Sequence, residues 1–376
     1  MADGGKPGGD AILVRLPNWL GDCVMAMPAV RHLAESLPGI GIHLAGRRQF
    51  RDLFQSQPGV AGFVAAPDRG LGNLIRGLLA APEGGRPKRF ALGLLLANSL
   101  SAAVWLRKAG AGIRMGYDRD CRRLFLTHPV PCGGLEKSWH FVDYCLELAR
   151  LAEAEAAREL ALPPRDPAPG AEARLPALAA GRAEREGAAE LVREAGIAGP
   201  YAVVAPASAY GPVKDWPAAH YRRLIGGLNR DFSLPAILTG GAGQAGAVAE
   251  LAEGLAAVNF AGRTPLPLFA GLLAGASLFV GGDSGGAHAA AALGVPTLVV
   301  FGATNPARTR PLGRAVRIFG GRGGDADLRN SRTREAAREI LAGVSPESLL
   351  EAAGELLRSR PAGLFEPPAE RGRDAH

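Results

Sequence analysis

Three groups of residues have the types and spacing to act on a charged small molecule. The first is Gly282-Asp283-Ser284-Gly285-Gly286-Ala287-His288, which follows the apolar run Leu278 to Gly281 and precedes an Ala-rich run ending at Leu293. A strand, a tight loop and a helix start offer free backbone N–H groups at the positive end of a helix dipole, a ready site for phosphate. The N–H groups of Ser284, Gly285 and Gly286 could hold a diphosphate. Asp283 repels phosphate, so it either orders the loop by accepting N–H bonds or contacts a sugar hydroxyl. His288 either faces the phosphates or packs. The bland alternative for the loop is an Asp/Ser N-cap with glycines for close packing.

The second group is Pro206-Ala207-Ser208 through Gly211-Pro212-Val213-Lys214-Asp215-Trp216-Pro217. It follows the apolar run Tyr201 to Ala205. Lys214 is one of five lysines in an arginine-rich chain. Its compact ammonium suits neutralisation of a leaving diphosphate, and Ser208 could donate to the same group. The alternative is an exposed lysine on a Pro-rich loop. Trp216 reads as a packing anchor. The third group is Leu20-Gly21-Asp22, where a carboxylate either caps a helix or takes a proton from an attacking hydroxyl. A helix N-terminus weakens Asp22 as a base, and a nearby anion strengthens it. Gly240-Gly241-Ala242-Gly243 could approach an adenine or ribose. It is not in Gly-x-Gly-x-x-Gly register, so no nicotinamide cofactor is expected.

The elements that must position these groups alternate. Ala11–Val14, 40–45, 60–65 and 90–96 read as strands. Segments 112–117 and 124–130 are further strand candidates. Helices fall between them, with a kink or late start expected at Pro28. Trp139 to Leu151 reads as a helix. Residues 163–176 hold five prolines in 14 residues, which with helix 182–195 link two domains. The rhythm restarts with strands at 201–205, 236–239, 278–282 and 295–301. Gly320 to Arg334 reads as a loop, and Ser345-Pro346 as the cap and first turn of a last helix. This alternation predicts an α/β protein of two doubly wound parallel-sheet domains, with ligands at the carboxyl ends of the strands. The expected divisions are 1–175, 176–345, the helix 346–358 and a disordered tail over 359–376.

With 47% hydrophobic and 21% charged residues, the chain is of the soluble globular class. A net charge of +7 favours acidic partners: nucleic acid, phosphorylated lipid or an anionic membrane surface. An Arg-for-Lys surface bias is the alternative. The four cysteines lack metal spacing, no metal ligand cluster stands out, and no Gly-x-Ser-x-Gly elbow supports hydrolase chemistry. No leader peptide or membrane span is expected, so any meeting with a membrane is peripheral.

Leu20-Gly21-Asp22 with Met27-Pro28-Ala29, Gly211 to Pro217, and Gly282 to His288, in this order and spacing, resemble the bacterial lipopolysaccharide heptosyltransferases of glycosyltransferase family 9. The heptosyltransferase II branch is the best match, and Asn98-Ser99 before a helix also fits it. The resemblance runs from about Ile12 to Leu357. It implies a GT-B fold of two facing Rossmann-like domains, an N-terminal acceptor domain and a C-terminal nucleotide-sugar domain. It also implies a last helix crossing back to the first domain, and metal-independent, inverting transfer of heptose from ADP-heptose to the phosphorylated Kdo-lipid A inner core. No cofactor and no nucleic-acid partner are implied, and the setting is cytoplasmic, with inner-membrane contact. Asp22 matches the family's base and Lys214 its phosphate-binding lysine; Asp283 to Gly286 with His288 match its donor loop. The chain departs at Ala207, where the family has Gly, and at Gly246, where many members carry a ribose-holding Glu. It also lacks a Cys-rich stretch, replaced by 320–338. Arginines at 114–123 and 322–338 could grip acceptor phosphates or form solvated faces. The rivals are another nucleotide-sugar enzyme on this fold, such as an epimerase or a transferase of a different sugar, and a non-catalytic sugar-nucleotide binder.

Overall fold

The computed structural model describes residues 11–66, 90–134, 138–162, 171–208, 211–302, 304–321 and 331–359. The expected tail beyond Ser359 lies outside them, as do 322–330 of the second arginine run. Twelve strands among the described residues form two six-stranded sheets. In the first half the strands are β1 (Ala11–Arg15), β2 (Gly41–Gly46), β3 (Val60–Ala65), β4 (Phe90–Leu95), β5 (Ala111–Tyr117) and β6 (His128–Val130), in the order β3-β2-β1-β4-β5-β6. The second half repeats the order with β7 (Ala202–Ala205), β8 (Ala236–Leu238), β9 (Ala257–Asn259), β10 (Leu278–Gly282), β11 (Thr297–Phe301) and β12 (Val316–Gly320), as β12-β11-β10-β7-β8-β9. All the pairings are parallel. The order in which the chain adds strands therefore switches sides once in each sheet, between β1 and β4 and between β7 and β10. A parallel sheet covered on both faces demands apolar side chains on both sides of each central strand, and β1, β4, β7, β10 and β11 are buried along their whole length.

Several elements differ from the sequence reading. Helix Leu20–Ser36 runs through Pro28 without a break. The strand expected over 124–130 shrinks to β6, because Arg122–Phe125 forms a 3₁₀ turn held by the buried guanidinium of Arg122. The helix expected to end near Leu151 continues to Glu159, since Ala152 and Ala156 extend its buried stripe. Strands β9 and β12 and helix Ser331–Gly343 are additions; β9 and β12 are short edge strands whose pairing no local periodicity announces.

The last helix, Pro346–Arg358, is a correction. Ser345 caps it as expected, its hydroxyl accepting from Ser348 N–H. Its apolar stripe of Leu349, Ala352, Ala353 and Leu356, however, lies in the core of the second half, not against the first. It packs on helix Ala218–Phe232, where Leu350 fills the space a side chain at Gly227 would need and Glu347 pairs with Arg223. Spacing of 3 and 4 fixes which face is buried but not which partner buries it.

The two halves meet along an apolar seam. Ala270 and Ala292 of the second half belong to the core that contains Val24, Val30 and Leu33 of helix Leu20–Ser36. The chain crossing between them is stitched to both sides. Arg31 donates to the carbonyls of Ala173 and Leu175, Gln57 exchanges two hydrogen bonds with the backbone of Ala179, and Leu178 N–H donates to Ala292 O.

Candidate functional site

The carboxyl ends of β1 and β4 form the crevice of the first half, and those of β7 and β10 that of the second. After β1, the loop Leu16–Trp19 leads into helix Leu20–Ser36. Arg15, buried at the end of β1, braces that loop: its guanidinium donates to the carbonyls of Leu16 and Ala45 and to Asn18 Oδ1. Cys23 Sγ reaches Pro17 O from the other side. Trp19 takes the N-cap position without a side-chain cap bond, so Asp22 is not the helix cap; it sits half-buried in the first turn.

In the second half, β7 delivers Pro206, Ala207 and Ser208. Ser208 is buried, and its backbone N–H donates to Asp215 Oδ1 at 2.7 Å. Burial raises the Asp215 carboxyl to about 6, against the pull of that bond. The intervening loop is anchored by Trp216, which is 2% exposed and donates from Nε1 to Val344 O, bearing out its reading as a packing anchor. The anchor sets Lys214 on the short 3₁₀ turn Pro212–Lys214. From there Nζ reaches Asp283 Oδ2 at 2.6 Å, with side-chain exposures of 18% and 10%. Thr304, after β11, donates its hydroxyl to the same oxygen at 3.0 Å.

Asp283 therefore gathers the loops after β7, β10 and β11. It orders the site through a lysine and a hydroxyl rather than through the backbone N–H bonds expected of it. Lys214 is paired, not exposed. Ser284 is the N-cap of helix Gly285–Ala292, yet its side chain makes no cap bond and its Oγ is buried without a hydrogen-bond partner. The first-turn amides of Gly286 and Ala287 are thus left without the side-chain acceptor that a helix start usually supplies. Ser284 holds the N-cap position without its usual bond, while Gly285 and Gly286 pack closely against Leu20 and Phe279, as the alternative reading expects.

His288 is 4% exposed, and its ring packs against Gly21 of the first half. Burial pushes it down to about 4, opposed by Asp283 and reinforced by His140 and Lys214, so the ring is neutral at ordinary pH. The structure thereby brings Gly21, next to Asp22, directly onto the segment 282–288. Gly240 stays one strand away at the end of β8, where Gly262 N–H donates to its carbonyl. Gln244 closes the turn there by accepting from Gly241 N–H. Gly246 is exposed on helix Ala245–Ala252 with open space beside it.

Of the first arginine run, Arg114 donates to the carbonyls of Ala111, Gly112 and Phe125, and Arg122 donates to Ala97 O and Asn98 Oδ1. Arg123 pairs with Asp118. Arg114 and Arg122 thus build the edge of the first sheet, while Arg123 stays on a solvated face. Residues with no motif of their own also enter the site. Thr304 and Arg15 are marked only by standing at strand ends. His140 caps helix Phe141–Glu159 through Nδ1 and donates from Nε2 to Arg310 O across the seam. Among the described residues no group of three or more His, Cys, Asp or Glu could hold a metal ion, and no helix is long and apolar enough to cross a membrane.

Comparison with known proteins agrees with this architecture. The solved structure of E. coli ADP-heptose LPS heptosyltransferase II aligns with a TM-score of 0.73 at 25% identity, covering 93% of this chain and 98% of that one. E. coli heptosyltransferase WaaC with ADP shares the fold, with a TM-score of 0.66 at 21% identity over 92% of this chain and 99% of that one. Both bear out the GT-B expectation. Lipooligosaccharide heptosyltransferase 2 of Haemophilus ducreyi is 27% identical over 92% of this chain and 99% of its own length. Lipopolysaccharide heptosyltransferase 2 of Escherichia coli K12 is 27% identical over 92% and 98%. The sequence profile described as "Glycosyltransferase family 9 (heptosyltransferase)" matches residues 86–337, more than half of the 376. The chain therefore belongs to glycosyltransferase family 9.

Proposed function

We propose that this protein transfers heptose from ADP-heptose to the inner core of lipopolysaccharide by a metal-independent, inverting displacement. The observation that carries the reading is the apposition of one carboxylate-bearing helix with one anion-type loop. Asp22 stands one residue from Gly21, and Gly21 touches His288 of the donor loop. Inversion needs a base on the acceptor side and a stabilised leaving group opposite. Asp22 takes the acceptor hydroxyl's proton as that oxygen attacks the anomeric carbon. The bond to the diphosphate breaks, and the negative charge it leaves falls on Lys214, Ser208 and the amides of 284–286. The donor assignment is supported by the likeness to E. coli ADP-heptose LPS heptosyltransferase II, 25% identical over 93% of this chain. The acceptor is a phosphorylated lipid A-core met at the cytoplasmic face of the membrane, from the side.

The test is incubation with ADP-heptose and a Kdo-lipid A-core acceptor, reading ADP release and an acceptor mass increased by one heptose. Asp22→Ala should keep ADP binding and lose turnover by a factor of about 10²–10⁴, the usual worth of a general base. Unchanged turnover in Asp22→Ala rejects the base. Donor binding without any transfer by the wild type favours a non-catalytic sugar-nucleotide binder.

A further inference from the structure

We propose that Gly21 is a positioning residue: its contact with His288 is the stop that sets how closely the Asp22 helix approaches the donor loop. This rests on the transferase reading above and adds to it a residue that acts through spacing, not through contact with substrate.

The contact is tight and reciprocal. A Cβ on Gly21 would lie 2.8 Å from His288 Cδ2, 3.3 Å from Nε2 and 3.4 Å from Cγ. From the other side, a Cβ on Gly285 would lie 2.7 Å from Leu20 Cβ, 3.0 Å from Leu20 Cγ and 3.1 Å from Gly21 N. Two helix starts from the two halves thus meet closely, Gly21 against the His288 ring and Gly285 against the Leu20 side chain and the Gly21 N. Neither glycine is needed for conformation, since neither is among the positive-φ residues. Gly21 lies in the first turn of helix Leu20–Ser36 and Gly285 opens helix Gly285–Ala292, and in a helix alanine is the better residue. What the glycines provide is room. His288 has little free space to give, since it is only 4% exposed.

Asp22 follows Gly21 on the same rigid turn, so its distance from the donor loop is fixed by this contact. Carbon atoms pack best at about 3.5–4.0 Å, so a methyl on Gly21 must push the helices apart by roughly half an ångström or more. Misplacement of a reacting group by about 1 Å can cost on the order of 10²-fold in rate. Spacing lost here is lost between the base and the anomeric carbon, while the diphosphate site of the second half stays whole.

The experiment is a cycle of Gly21→Ala, His288→Ala and the double variant. Gly21→Ala should lower kcat by about 10- to 100-fold, with KM for the donor and ADP affinity within about threefold of wild type. In the His288→Ala background, whose ring is gone, the same substitution should cost less than about threefold. A readout independent of turnover is acylation of His288 by diethyl pyrocarbonate, followed by peptide mass spectrometry. His288 should be protected in the wild type and modified at least about tenfold faster in Gly21→Ala, since the separated helices expose it. If Gly21→Ala fails to fold, folding of the double variant supports the steric stop and its failure overturns it. Wild-type kcat in Gly21→Ala, an equal loss in both backgrounds, or a still-protected His288 each overturns the proposal. Absence of transfer by the wild type would instead reject the proposed function, leaving the protection measurement to decide the contact.

Discussion

Asp283→Asn tests whether Asp283 works through Lys214. The substitution removes the charge and keeps a carbonyl oxygen for the Thr304 hydroxyl. At 2.6 Å, two unit charges attract by about 6 kcal/mol at an effective dielectric near 20. Desolvation takes back much of that, and removing one partner of a fully buried pair costs about 3–5 kcal/mol. These side chains keep 18% and 10% exposure, so the expected loss is roughly 2–3 kcal/mol. For a domain of this size that lowers Tm by about 5–10 °C. Binding should move the other way. In the unliganded site Asp283 competes with a diphosphate for Lys214, so neutralising it should tighten ADP binding about fivefold or more, roughly 1 kcal/mol. Thermal denaturation with and without ADP, backed by calorimetry, reads both effects. Asp283→Asn should melt earlier alone and gain more from ADP than the wild type. An unchanged Tm, or ADP affinity reduced tenfold, would refute the reasoning and show that Asp283 meets the nucleotide itself.

Three further outcomes follow from the same geometry. Burial raises the Asp215 carboxyl to about 6, so its favourable share of folding is full below its unfolded value and is lost as pH rises through about 6. Asp215→Asn should therefore melt higher than wild type at pH 8 and nearly equal to it at pH 4, by differential scanning calorimetry. Trp216→Ala should cost about 3–5 kcal/mol of stability, read from the urea midpoint, and Trp216→Phe about 1–2 kcal/mol, because it leaves Val344 O without its donor. His140 is held below its usual pKa by burial, with Arg174 and Arg310 reinforcing and Asp143 and its bond to Arg310 O opposing, so its contribution is present above its unfolded value and lost as pH falls through the lowered one. His140→Ala should cost about 2 kcal/mol at pH 8, about half for the helix cap and half for the bond to Arg310 O, and should flatten the loss of stability as pH falls below the ordinary histidine range.

Much of the site is legible in the residues. Strand ends followed by glycine or proline mark the carboxyl edge, so Asp22, Ser208, Lys214 and Asp283 can each be placed there from periodicity and turn chemistry alone. Ser345-Pro346 reads as a cap because capping is a bond between neighbours in sequence. The arginine runs mislead for the opposite reason. Arg114 and Arg122 spend their donors on carbonyls as close as Ala111 and as distant as Ala97, and composition carries no record of which carbonyls lack partners.

The sequence by itself determined the strand–helix rhythm, the doubly wound halves and the chemistry offered at each strand end, because these rest on interactions a few residues long. Only the tertiary structure decided that Asp283 holds Lys214 from 69 residues away, that His288 spends its ring on Gly21, and that the last helix serves the second core. An apolar stripe specifies that a face must be buried, and a charge that it must be compensated. Which surface or counter-ion answers is settled when all the elements compete for the same space.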